Sequence, residues 1–372
     1  MDLQQLNAKK PITIVAEIGS SHGGDLIKAK ELICSAKEAG ADIAKFQIIF
    51  ANEIVSPKSG IIPLCGRNRS IYNDFKAVQM DQNFFCELQQ ECEKKNIEFF
   101  ATVFGNKSLQ TYYQLPSTPK KVKIASPEIN HFPLFEQINQ LPLLVWLSTG
   151  ASTMQDIKNA LSYLKHCDVL FHCVTQYPTQ PKNCNLKAIK TLKKEFGLQI
   201  GFSDHTKDVY DAAIVAHYYG ATIFEKHFTL SNSNDGLDDS FALTPNNFEK
   251  MATTLHQINK LTHEEEKYQI IDIIGKKQFN LLSGSSKKRL TKSEKSIYHT
   301  THRSWVATKA IAKGEIIDKS NAALLRAELN KTGGIFSSPK QLNIFGSTAR
   351  KNYDEGDGIN LIKPLKLSDK DR

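Results

Sequence analysis

Eight short β-rich runs alternate with eight amphipathic helical patterns over about 260 residues, which predicts an α/β chain folded as a (β/α)8 barrel, with a small β-rich segment after it. Two further observations support this. Each apolar run ends in polar or ionisable residues, and the C-terminal strand ends are where that fold gathers its function. An open doubly wound sheet would bring a glycine-rich phosphate turn after an early strand, and Gly19-Ser20-Ser21-His22-Gly23-Gly24 only approximates one.

The expected strands are Ile12–Ile18, Ile43–Ile49, Ile97–Val103, Val122–Ala125, Leu143–Leu147, Val169–Cys173, Gln199–Phe202 and Ala221–Phe224. The helical patterns between and after them are Leu26–Ala39, Gln82–Lys95, Lys107–Leu115, Leu134–Asn139, Met154–Lys165, Leu186–Phe196, Val209–Tyr219 and Pro245–Leu261. Thr244 is placed as the N-cap of the last, with Pro245 in its first position. The strand ends then deliver, in order, Glu17; Lys45 and Gln47; Thr102; Lys123, Ser126 and Glu128; Ser148; His172 and Tyr177; Ser203, Asp204 and His205; and Glu225, Lys226 and His227. Parallel strands point the same way, so His205 and His227, from consecutive βα units, emerge on one rim. A metal cation or a small substrate held there would meet both.

Bulk composition excludes several classes. The 372 residues are 40% hydrophobic and 23% charged, as in an ordinary soluble globular protein. No apolar run is long enough to span a membrane, and the polar N-terminus does not read as a signal peptide. Seven cysteines at spacings that match neither a disulfide framework nor a zinc site point to reduced thiols and a cytoplasmic location. Between Lys276 and Lys295, seven basic residues face Glu294 alone, which accounts for six of the nine net positive charges. No aromatics interleave them as a nucleic-acid stacking surface would need, so the segment reads as a solvated linker.

The connection Phe50–Met80 is too long for a simple βα loop and reads as a lid or binding loop beside the rim. Ser231–Asp239, with Asp235, Asp238 and Asp239, is an acidic loop able to hold substrate hydroxyls. The resulting division is a barrel over 1–262, a basic linker over 263–300 and a small β-rich module over 301–372. In that module Ala312-Lys313-Gly314-Glu315 and Asp354-Glu355-Gly356-Asp357 are matching turn sequences about forty residues apart.

Taken together and in order, several motifs are specific. They are Ala16-Glu17-Ile18-Gly19-Ser20-Ser21-His22-Gly23-Gly24-Asp25, Ala39-Gly40-Ala41-Asp42 with Lys45-Phe46-Gln47, and Lys123-Ile124-Ala125-Ser126-Pro127-Glu128. The rest are Leu147-Ser148-Thr149-Gly150, His172-Cys173-Val174 with Tyr177-Pro178-Thr179, Gly201-Phe202-Ser203-Asp204-His205-Thr206 and Glu225-Lys226-His227-Phe228-Thr229. Through them nearly the whole chain resembles the sialic acid synthase family, a barrel followed by an antifreeze-like (SAF) domain.

That resemblance implies condensation of phosphoenolpyruvate with the open-chain aldehyde of an N-acylhexosamine, giving a nine-carbon 2-keto acid and phosphate. It implies His205 and His227 as ligands of a divalent metal, manganese first, with magnesium or cobalt as alternatives. It further implies Lys45, Thr102, Lys123, Ser126, Ser148 and Ser203 as the phosphate site, Glu128 and Glu17 as catalytic carboxylates, and Gln47, Tyr177 and Asp238 on the sugar. Family members are domain-swapped homodimers whose C-terminal domain adds an arginine to the partner's sugar site; Arg326 is the match. Neither nucleic acid nor membrane is an implied partner.

The chain departs from the family pattern at Pro127, usually glycine, at Thr175-Gln176, at Ala327, where proline is usual, and in the acidic loop. That loop is closer to synthases acting on 2,4-diacetamido-trideoxyhexoses, the precursors of legionaminic and pseudaminic acid, while the barrel motifs favour the sialic or legionaminic side. Rival readings are a metal-dependent aldolase, a Schiff-base aldolase using Lys123 or Lys226, and a sugar-binding protein on a degenerate barrel.

Overall fold

Runs rich in Val, Ile, Phe and Leu, apolar on both faces, suit strands covered on both sides. The computed structural model, which describes residues 11–64, 67–234, 236–326, 334–335 and 344–360, contains eight of them. They are Thr13–Gly19 (β1), Ile43–Gln47 (β2), Glu98–Val103 (β3), Lys121–Ile124 (β4), Leu144–Ser148 (β5), Cys167–Cys173 (β6), Gln199–Asp204 (β7) and Ile223–His227 (β8). Every strand hydrogen-bonds in parallel to its neighbours, and β1 pairs with both β2 and β8, which closes the barrel. The barrel expectation is met. The main differences lie at β7 and β8, which run on through Asp204 and His227, so Ser203, Glu225 and His227 are strand residues rather than loop residues.

The outer ring consists of Leu26–Glu38 (α1), Gln82–Lys94 (α2), Asn106–Tyr113 (α3), Phe132–Ile138 (α4), Met154–Tyr163 (α5), Ala188–Phe196 (α6), Asp211–Tyr218 (α7) and Pro245–Ile258 (α8). Their starts follow local chemistry. Asp25 accepts from the Ile27 and Lys28 amides, and Thr153 and Asp156 form a capping box at α5. Thr244 occupies the N-cap position of α8 ahead of Pro245, although its hydroxyl makes no cap bond. Helix and strand side chains share one hydrophobic core running from Ile12 to Leu282.

The stretch expected to be a solvated linker is instead helical and packed. His263–Ser283 (α9), broken at Gly275 (φ 80°), puts Ile270, Phe279 and Leu282 into the barrel core. Lys292–Thr301 (α10) follows. Capping boxes Thr262/Glu265 and Thr291/Glu294 start the two helices. Counting charge obscured both these boxes and the apolar spacing beneath the lysines. The Phe50–Met80 connection is likewise ordered where described, with short helices Ala51–Ile54 and Ile71–Ala77 around a hairpin of Ile62–Leu64 and Arg67–Arg69.

Arg303–Ala307 (β9) and Ala322–Arg326 (β10) pair antiparallel beside a second, small core of Trp305, Ile311, Ile317, Leu324, Ile344, Tyr353 and neighbours. The two expected turns are near copies. In each, the fourth residue donates to the carbonyl of the first, glycine holds the third position at φ 90° or 87°, and the fourth residue's carboxylate accepts from the first residue's amide. Ile311 and Tyr353, just before each turn, exchange both backbone hydrogen bonds. Asp235, Ala327 and residues 361–372 of the C-terminal module lie outside the described residues. No helix among the described residues is long and apolar enough to cross a membrane, and the six described cysteines are unpaired.

Candidate active site

Strand alternation decides which polar residues at the rim share a space. Lys45 and Gln47, Ser203 and His205, and Glu225 and His227 are each two apart and all face a cavity of about 430 Å³ at the C-terminal end of the barrel. Asp204 and Lys226 fall on the opposite phase. The Lys226 ammonium there donates to Asp204 Oδ2 at 2.7 Å and to the Thr206 carbonyl at 2.8 Å, outside the cavity. His172 also points outward, to the Cys184 carbonyl. Lys226 therefore does not line the cavity.

Glu17, Lys45, Gln47, Thr102, Lys123, Ser126, Ser148, Tyr177, Ser203, His205, His227, Asp238 and Arg326 all line this one cavity. At its base lies a buried alternation of charge. Lys45 Nζ meets Glu17 Oε2 at 2.5 Å and Glu225 Oε2 at 3.6 Å, and Lys123 Nζ meets the same Glu225 oxygen at 2.7 Å. Thr102 and Ser203 complete the network through Lys45 and Glu225, and Gln47 donates to Glu17 at 2.6 Å. Burial opposes every one of these charges. At Lys45 the two carboxylates outweigh it and hold the ammonium above its ordinary value. At Lys123 burial and the nearby Lys45 prevail over Glu225, and the pKa falls. Glu225, buried but facing both lysines, is held down to about 2.

The two histidines meet above this network, their rings 5.5 Å apart. Val174 O sits 2.9 Å from His205 Nδ1, which fixes the ring and leaves Nε2 free for a ligand. Burial disfavours charge on His205, yet Cys173 beside it and the Val174 carbonyl raise its pKa to about 9, so a cation binding at Nε2 would displace a proton. His227 Nδ1 is buried without a hydrogen-bond partner, with Asp238 Oδ2 3.6 Å away, and burial holds this imidazole neutral, its pKa lowered to about 4. An orphaned ring nitrogen beside a fixed imidazole fits a cation bound by two protein ligands whose other positions are filled by water or substrate oxygens. Among the described residues no group of three or more His, Cys, Asp or Glu side chains is arranged to hold a metal ion. Tyr177 covers His205 with ring centroids 4.2 Å apart.

Glu128 differs from the expectation. It sits in the turn after β4, outside the cavity, fully buried, with Arg303 on one carboxylate oxygen and Arg326 at 2.6 Å on the other. Burial would raise its pKa, but the two guanidinium groups bring it to about 2. A carboxylate so firmly ionised has no proton to give at neutral pH. In this structure it pairs with two arginines of the C-terminal segment. The Arg303 guanidinium also donates to the carbonyls of Glu53, Phe104 and Leu324, joining long connection, barrel and β10. Arg326 thus reaches the cavity of its own chain.

Sequence reasoning missed Ile71 and Phe75 of the long connection and Phe104 after β3 as cavity walls, the contribution of Ile297, Thr300 and Thr301 from α10, the buried Arg303, and Cys173 and Thr175 inside the cavity. A period-two reading of β6 would have placed Cys173 and Thr175 on the inner face. Nothing local marks Arg303.

Comparison with known proteins agrees with this architecture. Residues 32–267 match the NeuB family model. The N,N'-diacetyllegionaminic acid synthase of Campylobacter jejuni is 33% identical, over 94% of this chain and 99% of its own. The crystal structure of the spore coat polysaccharide biosynthesis protein spsE from Bacillus subtilis superposes with a TM-score of 0.77 at 31% identity, covering 94% of both chains. That of an N-acetylneuraminic acid (sialic acid) synthetase from Leptospira borgpetersenii, in complex with citrate, gives 0.61 at 31% identity, over 72% of this chain and 93% of that one. A family match over most of the barrel and relatives alike from end to end leave one conclusion: the chain belongs to the NeuB family.

Proposed function

We propose that this protein is a nonulosonic acid synthase, joining phosphoenolpyruvate to the open-chain aldehyde of an N-acylated amino sugar and releasing phosphate. The observation that carries this is the convergence of Lys45, Lys123, Ser126, Ser148 and Ser203 with His205 and His227 in a single cavity, whose volume lies in the range of roughly 300–1,000 Å³ usual for ligand sites.

Two ammonium groups and the hydroxyls give a phosphate dianion charge-assisted hydrogen bonds. Gln47, Tyr177, Asp238 and Arg326 surround the remaining space and suit sugar hydroxyl and acylamino groups. A divalent cation held by His205 and His227, manganese first and magnesium or cobalt as alternatives, supplies Lewis-acid polarisation of the aldehyde when bound. The methylene carbon of phosphoenolpyruvate bonds to the aldehyde carbon, the aldehyde oxygen takes up a proton, and water enters as phosphate departs. Glu17, in the cavity against Lys45, is assigned the proton transfer at the aldehyde oxygen or the water. Glu128 is assigned to holding Arg326 over the sugar. The exchanged homodimer expected from the resemblance belongs to this proposal, the Arg326–Glu128 contact then being made between chains.

The named relative and the acidic loop favour a 2,4-diacetamido-trideoxyhexose of the legionaminic type as acceptor over N-acetylmannosamine. Phosphate release from phosphoenolpyruvate with manganese decides this. The panel is N-acetylmannosamine, its 6-phosphate and the two diacetamido-trideoxyhexose precursors, each with an EDTA control. EDTA-sensitive release with the legionaminic precursor is the expected result, and release with none of the four contradicts the proposal.

A further inference from the structure

We infer that Glu294, backed by Lys288, is a positioning residue for the phosphate-binding side of the rim, acting from the segment between the barrel and the C-terminal module. The inference rests on the reading of the cavity as a phosphoenolpyruvate site.

Glu294 lies in the first turn of α10, in the stretch whose charge suggested a solvated linker, yet it is 1% exposed. Its Oε1 accepts from two amides of the barrel, Ala151 N at 2.7 Å and Thr175 N at 2.9 Å, and its Oε2 accepts from Thr291 N at 2.9 Å. One carboxylate therefore ties together the turns after β5 and β6 and the start of α10. Burial works against its charge, and buried Lys288 together with the three amides outweighs that, keeping the carboxylate ionised. The Lys288 ammonium reaches back to the Cys173 carbonyl at 3.4 Å, on the same strand end as Thr175.

What is held is demanding. Ala151 adopts φ 46°, a left-handed conformation that costs a non-glycine residue energy and persists only where its surroundings impose it. Next to it, Gly150 donates to Ser126 Oγ at 2.9 Å. A Cβ at Gly150 would lie 2.4 Å from Thr175 Oγ1 and 2.9 Å from Ser126 Oγ, so the two turns interlock with no space to spare. Ser126, Ser148 and Thr175 all face the cavity, and Thr175 Oγ1 is buried without a hydrogen-bond partner. If Glu294 lets go, the amides of Ala151 and Thr175 lose their acceptor and the hydroxyls on the phosphate side lose their register. On the sugar side Gln47 and Asp238 stand on other connections, while Tyr177 follows Thr175 by two residues.

The test is calorimetric titration of phosphoenolpyruvate into the full chain, for the wild type, Glu294→Ala, Glu294→Gln and Lys288→Met, with exposed Lys295→Ala as control. The alanine variant is expected to bind about tenfold or more weakly, and the glutamine variant, which keeps one acceptor oxygen for Ala151 and Thr175, to recover to within about threefold of wild type. Lys288→Met is expected to bind roughly threefold to tenfold more weakly, and Lys295→Ala as wild type does. In turnover, KM for phosphoenolpyruvate rises more than KM for the sugar, whereas a general loss of folded protein would lower kcat and leave both KM values alone. Wild-type affinity in Glu294→Ala, or equal impairment of the alanine and glutamine variants, overturns the inference. If Glu294→Ala does not fold, Lys288→Met decides, and unchanged affinity in it overturns the inference. Titration needs no turnover. A wild-type chain that binds phosphoenolpyruvate but releases no phosphate with any sugar contradicts the proposed reaction alone, and one that does not bind it contradicts both.

Discussion

Glu128 of the barrel and Arg326 of β10 meet at 2.6 Å, and the other carboxylate oxygen of Glu128 is taken by the fully buried Arg303. Removing one member of a buried, hydrogen-bonded ion cluster leaves the others desolvated and unpaired, which costs about 3–5 kcal/mol. Glu128→Gln is therefore expected to lower unfolding stability in urea by about that amount. Arg326→Ala, at the more exposed edge of the cluster, is expected to cost less stability and to raise KM for the sugar with KM for phosphoenolpyruvate unchanged. A Glu128→Gln protein of wild-type stability would contradict the anchoring role.

Lys123→Met removes one of the two cations over the phosphate side and leaves Glu225 without its nearest partner. Loss of a preorganised charged group of this kind lowers turnover by roughly 100-fold or more, measured as phosphate release at saturating sugar. Borohydride treatment with substrate is expected to trap nothing on wild-type Lys123, which would act by charge; a trapped adduct would favour the Schiff-base aldolase.

Acid sensitivity follows from buried neutral histidines. Burial lowers His22 and His172 to about 4 and His131 to about 3, while the unfolded chain titrates near 6.5. Folded pKa values below the unfolded one mean that the unfolded state takes up the protons first. The stability these three histidines contribute is complete above pH 6.5 and falls below it, by about 1.4 kcal/mol per histidine per pH unit, until their folded values are reached. Glu128, at about 2, adds a further loss as pH falls below roughly 4.5. Denaturant midpoints measured between pH 6.5 and 4 should fall; midpoints unchanged down to pH 5 would contradict it.

If C-terminal modules are exchanged in a homodimer, co-expressed Lys123→Ala and Arg326→Ala chains, assayed at sugar concentrations too low for Arg326→Ala alone to turn over, should recover about a quarter of wild-type activity, because half the dimers are mixed and one site in each is intact. No recovery would mean that each chain closes its own cavity, as Arg326 does in the single chain.

Much of this was legible beforehand. The eight strands announce themselves because each is a short apolar run closed by polar residues, and strand alternation then carries Lys45, Lys123, Ser203, His205 and His227 to one cavity. What stayed hidden depends on contacts distant in sequence. Glu128 looks like a catalytic carboxylate until Arg303, 175 residues away, is found against it. Lys288 and Glu294 look like solvated charges in a basic tract until the amides of Ala151 and Thr175 are seen to close on the carboxylate. Local pattern reports periodicity and caps, and it is silent on which buried charge meets which.

The most direct test of the central claim is to measure products. Phosphoenolpyruvate and the legionaminic-type precursor are incubated with the protein and manganese, and phosphate release is compared with the mass of any sugar product. The expected result is one phosphate for each nine-carbon 2-keto acid formed, abolished by EDTA. Phosphate without a new carbon–carbon bond, or no consumption of phosphoenolpyruvate with any sugar of the panel, would contradict it.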